Sequence, residues 1–276
     1  MPNNLTAWDR VQIVRAQDRP TALDYIDNIF DEFIELHGDR KFSDDKATVC
    51  GLARLENTNF TVIAQQKGRN TKENIERNFG MPNTESYRKS FRFMKQAEKF
   101  NRPIITFIDT KGAYPGLGAE ERGQGEAIAS SMFEMSRLKV PIIVVVIGEG
   151  SSGGALAIGV GDKILMLENA VYSILSPEGF ASILWKDSSR AEEAAEVMKM
   201  TANDLYKFKV IDKIIKEPEN GGAEADVEAV ASELKKYILK YVKELKQIPI
   251  QELVENRYQK FRNMGEYTEI KRENKK

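Results

Sequence analysis

Two apolar runs set the strongest limit on what this chain can fold into. They are "RPIITFID", entered through Pro103, and "VPIIVVVI", entered through Pro141, 38 residues later. Neither alternates polar with apolar residues, which is the pattern of a strand covered on both faces. Each opens into a glycine-bearing turn, "TKGAYPGLG" in the first case and "GEGSSGG" in the second. A helical pattern follows each turn, "GEAIASSMFEMSRL" and "ALAIGV". A strand–turn–helix unit repeated in this way predicts an α/β fold with buried, largely parallel strands. A further strand pair, "KILMLE" and "AVYSIL", leads into a helix at "SPEGFASILW".

The flanking segments fill out this scheme. Residues 1–20 are polar, end at Pro20, and read as a lead-in with one short helix around Trp8–Arg15. "TALDYIDNIFDEFIEL" places Leu23, Ile26, Ile29, Phe30, Phe33 and Ile34 at helical spacing, with Thr21 and Asp24 as a capping box. "ATVCGLARL" and "FTVIAQQ" predict a hairpin closed at "ENTN". The polar, basic "KGRNTKENIERNFGMPNT" predicts a long loop, a feature that is often functional inside a compact domain. "ESYRKSFRFMKQAEKF" then carries Tyr87, Phe91, Met94 and Ala97 on one helix face. Beyond Ser188 the pattern gives two short helices, a strand, and a turn-rich linker at "EPENGGAEAD". "VEAVASELKKYILKYVKELK" is a long amphipathic helix. Pro249 ends it, and a last helix runs through "IQELVENRYQKF" to a frayed tail, "KRENKK". The expected division is a lead-in over 1–20, a main domain over 21–248, and a helix with a charged tail over 249–276.

Composition narrows the function. Formal net charge is −1, so no global charge points to nucleic acid or an anionic membrane. No apolar run is long enough to span a bilayer, and "MPNNLTAWDR" lacks the apolar core of a signal peptide. The expected location is the cytoplasm. Cys50 is the sole cysteine and His37 the sole histidine, so no metal site is expected. His37, in "FIELHGDR", is expected to serve a structural role at a helix end. With so few conventional catalytic side chains, the backbone becomes a candidate.

"GEGSSGGALAIG", residues 148–159, holds five glycines in twelve positions. Glycine tolerates positive φ and lets a backbone approach closely. Composition leaves two readings open: a tight crossover, or bare N–H groups aimed at a developing oxyanion. No Gly-Lys-Ser/Thr follows, which removes a P-loop, and a Rossmann fingerprint would open the domain rather than come mid-chain. A serine nucleophile at Ser151 or Ser152 would have only His37 as its base. Glu149 and Glu126 are candidate carboxylates for a free-standing hydratase, but nothing marks them as a pair.

Long stretches of this sequence resemble one family. They include "RPIITFIDTKGAYPGLGAEERGQGEAIA", "EMSRLKVPIIVVVIGEGSSGGALAIGVGDKILML", "YSILSPEGFASILWK", "QQKGRNTKENIERNFGMP" and "ENRYQKFRNMG". The resemblance is to the alpha subunits of bacterial acetyl-CoA carboxylase carboxyltransferase, in continuous order over residues 5–265. It implies a crotonase-like superhelix of ββα units with C-terminal helices packing on a partner. It implies transfer of a carboxyl group from carboxybiotin to acetyl-CoA, giving malonyl-CoA for fatty-acid synthesis. Variants on this reading are a carboxyltransferase for another acyl-CoA and a non-catalytic assembly paralogue. The implied partners are a beta subunit in an α2β2 assembly, a biotin carboxyl carrier protein that presents the carboxybiotin, and biotin carboxylase. Zinc is implied on the beta subunit only, and no covalently bound cofactor on this chain.

In that chemistry charge develops on two carbonyl oxygens, the thioester and the biotin ureido oxygen. The biotin anion itself removes the acetyl proton, so no protein base is required. The family pattern assigns the biotin oxygen to the backbone amides of Gly153 and Gly154. It makes "GAYPG" (Gly112, Ala113, Tyr114, Pro115 and Gly116), with Ser152 and Ala155, the walls of the carboxybiotin pocket. Two positions depart from it: Lys111, where relatives have Pro, and Ser151, where they have Gly. Serine at 151 would be strained if that position required positive φ. Ser176–Gly179 are expected to cap the helix "FASILW". Lys67, Arg69, Lys72, Arg77 and Arg88 form a basic cluster, either meeting CoA phosphates or the partner, or simply solvated.

Overall fold

The computed structural model describes residues 5–219 and 221–265, so the tail "KRENKK" lies outside the described residues. The lead-in forms α1 (Ala7–Arg15), and α2 (Ala22–Ile29) follows. Asp24 accepts the Thr21 N–H at 2.7 Å, as the capping box requires. The α2 helix stops well short of its expected length. Residues Glu32–Glu35 instead form β1, an edge strand antiparallel to β2 (Thr48–Leu55). The reason is tertiary: the Phe33 ring and Ile34 carbonyl lie where a Cβ on Gly51 would stand, 2.4–2.5 Å away. Strand pairing across this bare glycine overrides the local helical period.

The hairpin of β2 and β3 (Thr58–Gln65) forms as expected but turns more tightly than "ENTN" suggests, with Leu55 opposite Thr58 and Glu56 at φ 52° in the turn. The expected long loop contains a short helix, α3 (Thr71–Glu76). Then come α4 (Thr84–Lys99), β4 (Ile104–Thr110), α5 (Leu117–Glu121), α6 (Gln124–Arg137), β5 (Ile142–Ser151), α7 (Ser152–Leu156), β6 (Lys163–Leu167), β7 (Val171–Ser173) and α8 (Pro177–Trp185). The C-terminal part adds α9 (Ala191–Met198), α10 (Ala202–Lys207), β8 (Lys213–Ile215), α11 (Val227–Leu245) and α12 (Ile250–Arg262).

One sheet in the order β1-β2-β3-β4-β5-β6-β8 organises all of this, parallel from β3 onward. The outer half of β5 leaves β6 and pairs with β7 through Glu149–Ser151. Register slips between Ile108 and Thr110: Asp109 alone stands opposite residues 147–149, so the bulge is on β5, across from Asp109. Every residue of β4 and β5 is buried, as the unbroken apolar runs predict.

The stripe of α11 (Val230, Leu234, Ile238, Val242, Leu245) joins the same core as the sheet. Any partner therefore meets the polar remainder of that helix. α12 is anchored by Arg257, which is fully buried. Its guanidinium donates to both oxygens of Asp162 at 2.8 Å and to the carbonyls of Met135, Leu138 and Val140 at 2.8–2.9 Å. Asp162 in turn accepts the Ile142 N–H at the start of β5. The lead-in is tied in as firmly. Arg19 donates to Glu217 and to the Ile147 carbonyl, and Arg10 donates to the Glu168 carbonyl. Among the described residues, no helix is long and apolar enough to cross a membrane.

Candidate active site

Ligands in parallel α/β folds gather at the carboxyl ends of the strands. Here β4 and β5 both end in their glycine turns, and the two turns touch. A Cβ on Gly154 would stand 2.6 Å from Ala113 N and Gly112 C, so only glycine permits this approach. Gly112, at φ 136°, faces Ser152 from the other side. Gly153 has a different status, because a Cβ there would meet Ile128 at an ordinary 3.4 Å. Both readings of the glycine stretch therefore apply, to adjacent residues. Gly154 is required for packing, whereas packing places no such demand on Gly153.

The helix after β5 begins three residues earlier than "ALAIGV" suggests and is only five residues long. Gly153 and Gly154 are its second and third residues, so their N–H groups have no i−4 partner within it. Neither donates to any turn, loop or cap hydrogen bond among the described residues. With so short a helix, the free N–H groups outweigh any macrodipole.

Strain falls one residue away from where it was expected. Ser151 is extended (φ −130°, ψ 139°) and costs nothing. Ser152 occupies the left-handed region at φ 58°, a conformation that costs a non-glycine residue about 1–2 kcal/mol. The Ser151 hydroxyl is buried without a hydrogen-bond partner.

The remaining expected pocket residues scatter somewhat. Tyr114 is half-buried, and its ring lies against Gly116. Its backbone N–H donates to the Pro82 carbonyl at 3.0 Å, and its carbonyl accepts from Gln124 at 3.1 Å. Pro115 is exposed, and Gly116 precedes α5 as its N-cap. Ala155 is wholly buried in the main core. Lys111 is exposed. Ser176 caps α8 as expected, accepting the Gly179 N–H at 3.1 Å.

Several residues that the sequence did not single out surround these turns. Asp109, across from the bulge, accepts the Glu149 N–H at 3.0 Å and pairs with Lys67 at 3.0 Å. Gln65 donates to the Gly154 carbonyl at 2.7 Å and accepts the Asp109 N–H at 3.2 Å. Arg15 forms a two-pronged pair with Glu149, at 2.7 and 3.0 Å, and reaches Glu178 of α8 at 2.6 Å. Burial pushes the Glu178 carboxyl up, but Arg15 outweighs it and holds the group below its ordinary range. A cleft of about 300 Å³ lined by Arg15, Lys67, Asp109, Lys111 and Glu149 opens beside the turns, and neither Gly153 nor Gly154 lines it.

Glu149 and Glu126 do not form a pair. Glu149 is buried against Arg15, while Glu126 is exposed and accepts from Ser130. His37 follows β1 rather than a helix and rests 3.2 Å from Asp44 on the surface. The basic cluster is dispersed among separate partners: Lys67 with Asp109, Arg69 with Asp24, Arg77 with the Lys46 carbonyl, and Arg88 with the Arg122 carbonyl. Burial pushes the Cys50 thiol up to about 12, which keeps it protonated and unreactive.

The architecture matches solved carboxyltransferases. A chain of transcarboxylase 12S superposes with a TM-score of 0.65 at 21% identity, covering 86% of this chain and 46% of that one. A chain of a Pseudomonas malonate decarboxylase hetero-tetramer superposes with a TM-score of 0.69 at 13% identity, covering 86% and 92%. These likenesses establish a crotonase-like fold. In sequence, the acetyl-coenzyme A carboxylase carboxyl transferase subunit alpha of Clostridium acetobutylicum is 61% identical over 265 residues, 96% of both chains. Its counterpart from Clostridium botulinum strain Alaska E43 is 63% identical over 258 residues, 94% of both. The family described as acetyl co-enzyme A carboxylase carboxyltransferase-like matches residues 1–265. A repeated strand–turn–helix unit, two touching glycine turns at its strand ends and this extent of identity have one explanation: the chain belongs to the acetyl-CoA carboxylase carboxyltransferase family, on its alpha-subunit side.

Proposed function

We propose that this chain supplies the carboxybiotin side of an active site completed by a beta subunit, in an α2β2 assembly in the cytoplasm. The carboxyl donor is carboxybiotin on a carrier protein charged by biotin carboxylase, and the acceptor is acetyl-CoA. The N–H groups of Gly153 and Gly154 receive the negative charge that grows on the biotin ureido oxygen. Gly112–Gly116, Ser152 and Ala155 shape the space around it. The observation that carries this reading is a pair of adjacent amides, free of turn and cap partners, held against a second glycine turn. Preorganised donors of this kind contribute about 3–4 kcal/mol each to lowering a barrier. That suits a chain whose lone histidine lies on the surface beside Asp44.

The test uses the assembled enzyme. This chain alone should form no malonyl-CoA, and adding a cognate beta subunit and carboxybiotinylated carrier should restore the reaction. Glycolic acid at position 153 replaces the amide N–H with an ester oxygen and changes little else. It should leave assembly intact and lower kcat by about 10²–10³-fold. Turnover within threefold of the parent enzyme would remove the amide from the mechanism.

A further inference from the structure

Gln65 is the last residue of β3 and is fully buried. Beyond Ala64–Phe107 the β3–β4 ladder has run out, and the β4–β5 register slips across Asp109. The Asp109 N–H finds its acceptor in the side-chain oxygen of Gln65, at 3.2 Å. The amide nitrogen of Gln65 donates to the Gly154 carbonyl at 2.7 Å. These partners fix which way the carboxamide points, since an N–H requires the oxygen and a carbonyl requires the nitrogen. Gly154 is itself in backbone contact with Gly112 and Ala113. A single carboxamide therefore joins the outer end of β4, which leads into the first glycine turn, to the first turn of α7, which forms the second.

We propose that Gln65 is a positioning residue for carboxyl transfer: by holding the Gly154–Ala155 peptide group, which follows directly on the Gly153 and Gly154 amides, it sets how the second glycine turn is placed against the Gly112–Gly116 turn. The inference rests on the reading that these two turns form the site. Gln65 need not touch substrate. Its effect is on the geometry of groups that do, and misplacement by about 1 Å costs on the order of 10²-fold in rate. A purely structural glutamine would show up in stability and leave turnover per assembled enzyme alone.

The Gln65→Glu variant separates these cases, because an ionised carboxylate accepts hydrogen bonds only, whereas a protonated carboxyl both accepts and donates. The charged and titratable groups around this position are Asp109 on β4 with its partner Lys67, Glu149 on β5 with Arg15 of α1, and the phenol of Tyr25 on α2. The α7 helix, Ser-Gly-Gly-Ala-Leu, contributes none. Burial favours the neutral carboxyl. In the reconstituted enzyme, Gln65→Glu should lower kcat about 30- to 100-fold at pH 8, with KM for acetyl-CoA within about twofold. Relative to the parent enzyme at each pH, that deficit should shrink below about fivefold at pH 6, as the proton restores the donor to the Gly154 carbonyl. Gln65→Met, which has no proton to regain, should show a deficit that does not vary with pH. If Gln65→Met does not fold, the pH profile of Gln65→Glu decides alone.

A Gln65→Glu enzyme with full kcat at pH 8, or with a loss that stays flat down to pH 6, overturns the proposal. The ester at position 153 keeps the two claims apart. A disabled ester with an active Gln65→Glu at pH 8 discards the brace alone. An active ester with a pH-recoverable Gln65→Glu discards the amide reading and supports the brace.

Discussion

The two ends of β5 have been built to opposite standards. At its start, the Ile142 N–H is held by Asp162, and Arg257 spends all five of its N–H donors on Asp162 and three carbonyls. At its finish, the Ser151 hydroxyl has no partner, Ser152 sits at φ 58°, and the next two amides have no turn or cap acceptor. One strand of ten residues thus runs from complete polar satisfaction to deliberate shortage. Stability resides at the end opposite the glycine turns. The unsatisfied donors lie at the end where strand termini of this fold class bind their ligands.

The most severe way to break this contrast is Arg257→Met. It leaves Asp162 buried and uncompensated, which costs about 3–5 kcal/mol. For a chain of this size the melting temperature should fall by on the order of 10 °C. Turnover of the molecules that remain assembled should change by less than about twofold, since the lesion lies at the far end of β5. A large loss of kcat at an unchanged melting temperature would show that the two ends are not separate.

Ser152→Gly tests the strained end. Relief of the left-handed conformation, about 1–2 kcal/mol, exceeds the added chain entropy of glycine, about 0.5–1 kcal/mol. The denaturant midpoint should therefore rise by an amount equivalent to roughly 0.5–1 kcal/mol. A lower midpoint would mean that Ser152 is stabilised where it is and that the strain argument is wrong.

The smallest effect concerns the clamp of α1 on α8. The Glu178 carboxyl is held below its ordinary 4.5, so its contribution to stability is present above that value. It is lost as pH falls through the lower folded-state value. Glu178 is partly exposed, with 39% of its side chain open to solvent, so water screens the pair and it contributes a few tenths of a kcal/mol. Amide protection factors in α8, corrected for the intrinsic pH dependence of exchange, should fall by up to about twofold on acidification below about 4.5 and should lose that pH step in Glu178→Gln. An acid step of equal size in the variant would assign it to other groups.

What the sequence disclosed follows the same division. The buried strands, the repeat, the hairpin and the α11 stripe were legible, because burial imposes a period on residue type. The edge strand β1 was not, because its four residues, "EFIE", continue a helical spacing until Gly51 offers a surface to pair with. The glycine turns were visible as composition, yet the resemblance pointed to strain at Ser151 only if that position needed positive φ, and the backbone gives positive φ to Ser152 instead. Gln65, Asp109 and the three lead-in arginines were invisible for a simpler reason. Their partners are distant in the chain, and a long-range hydrogen bond leaves no local period to read.

Those arginines also bear on the birth of the protein. Arg10 binds at residue 168, Arg15 at 149 and 178, and Arg19 at 217. During synthesis this segment precedes every one of these partners, and the last of them, Glu217, follows Arg19 by 198 residues. The segment cannot dock fully until those partners have been made. Its seating is then a late event, closing a loop that spans nearly the whole domain.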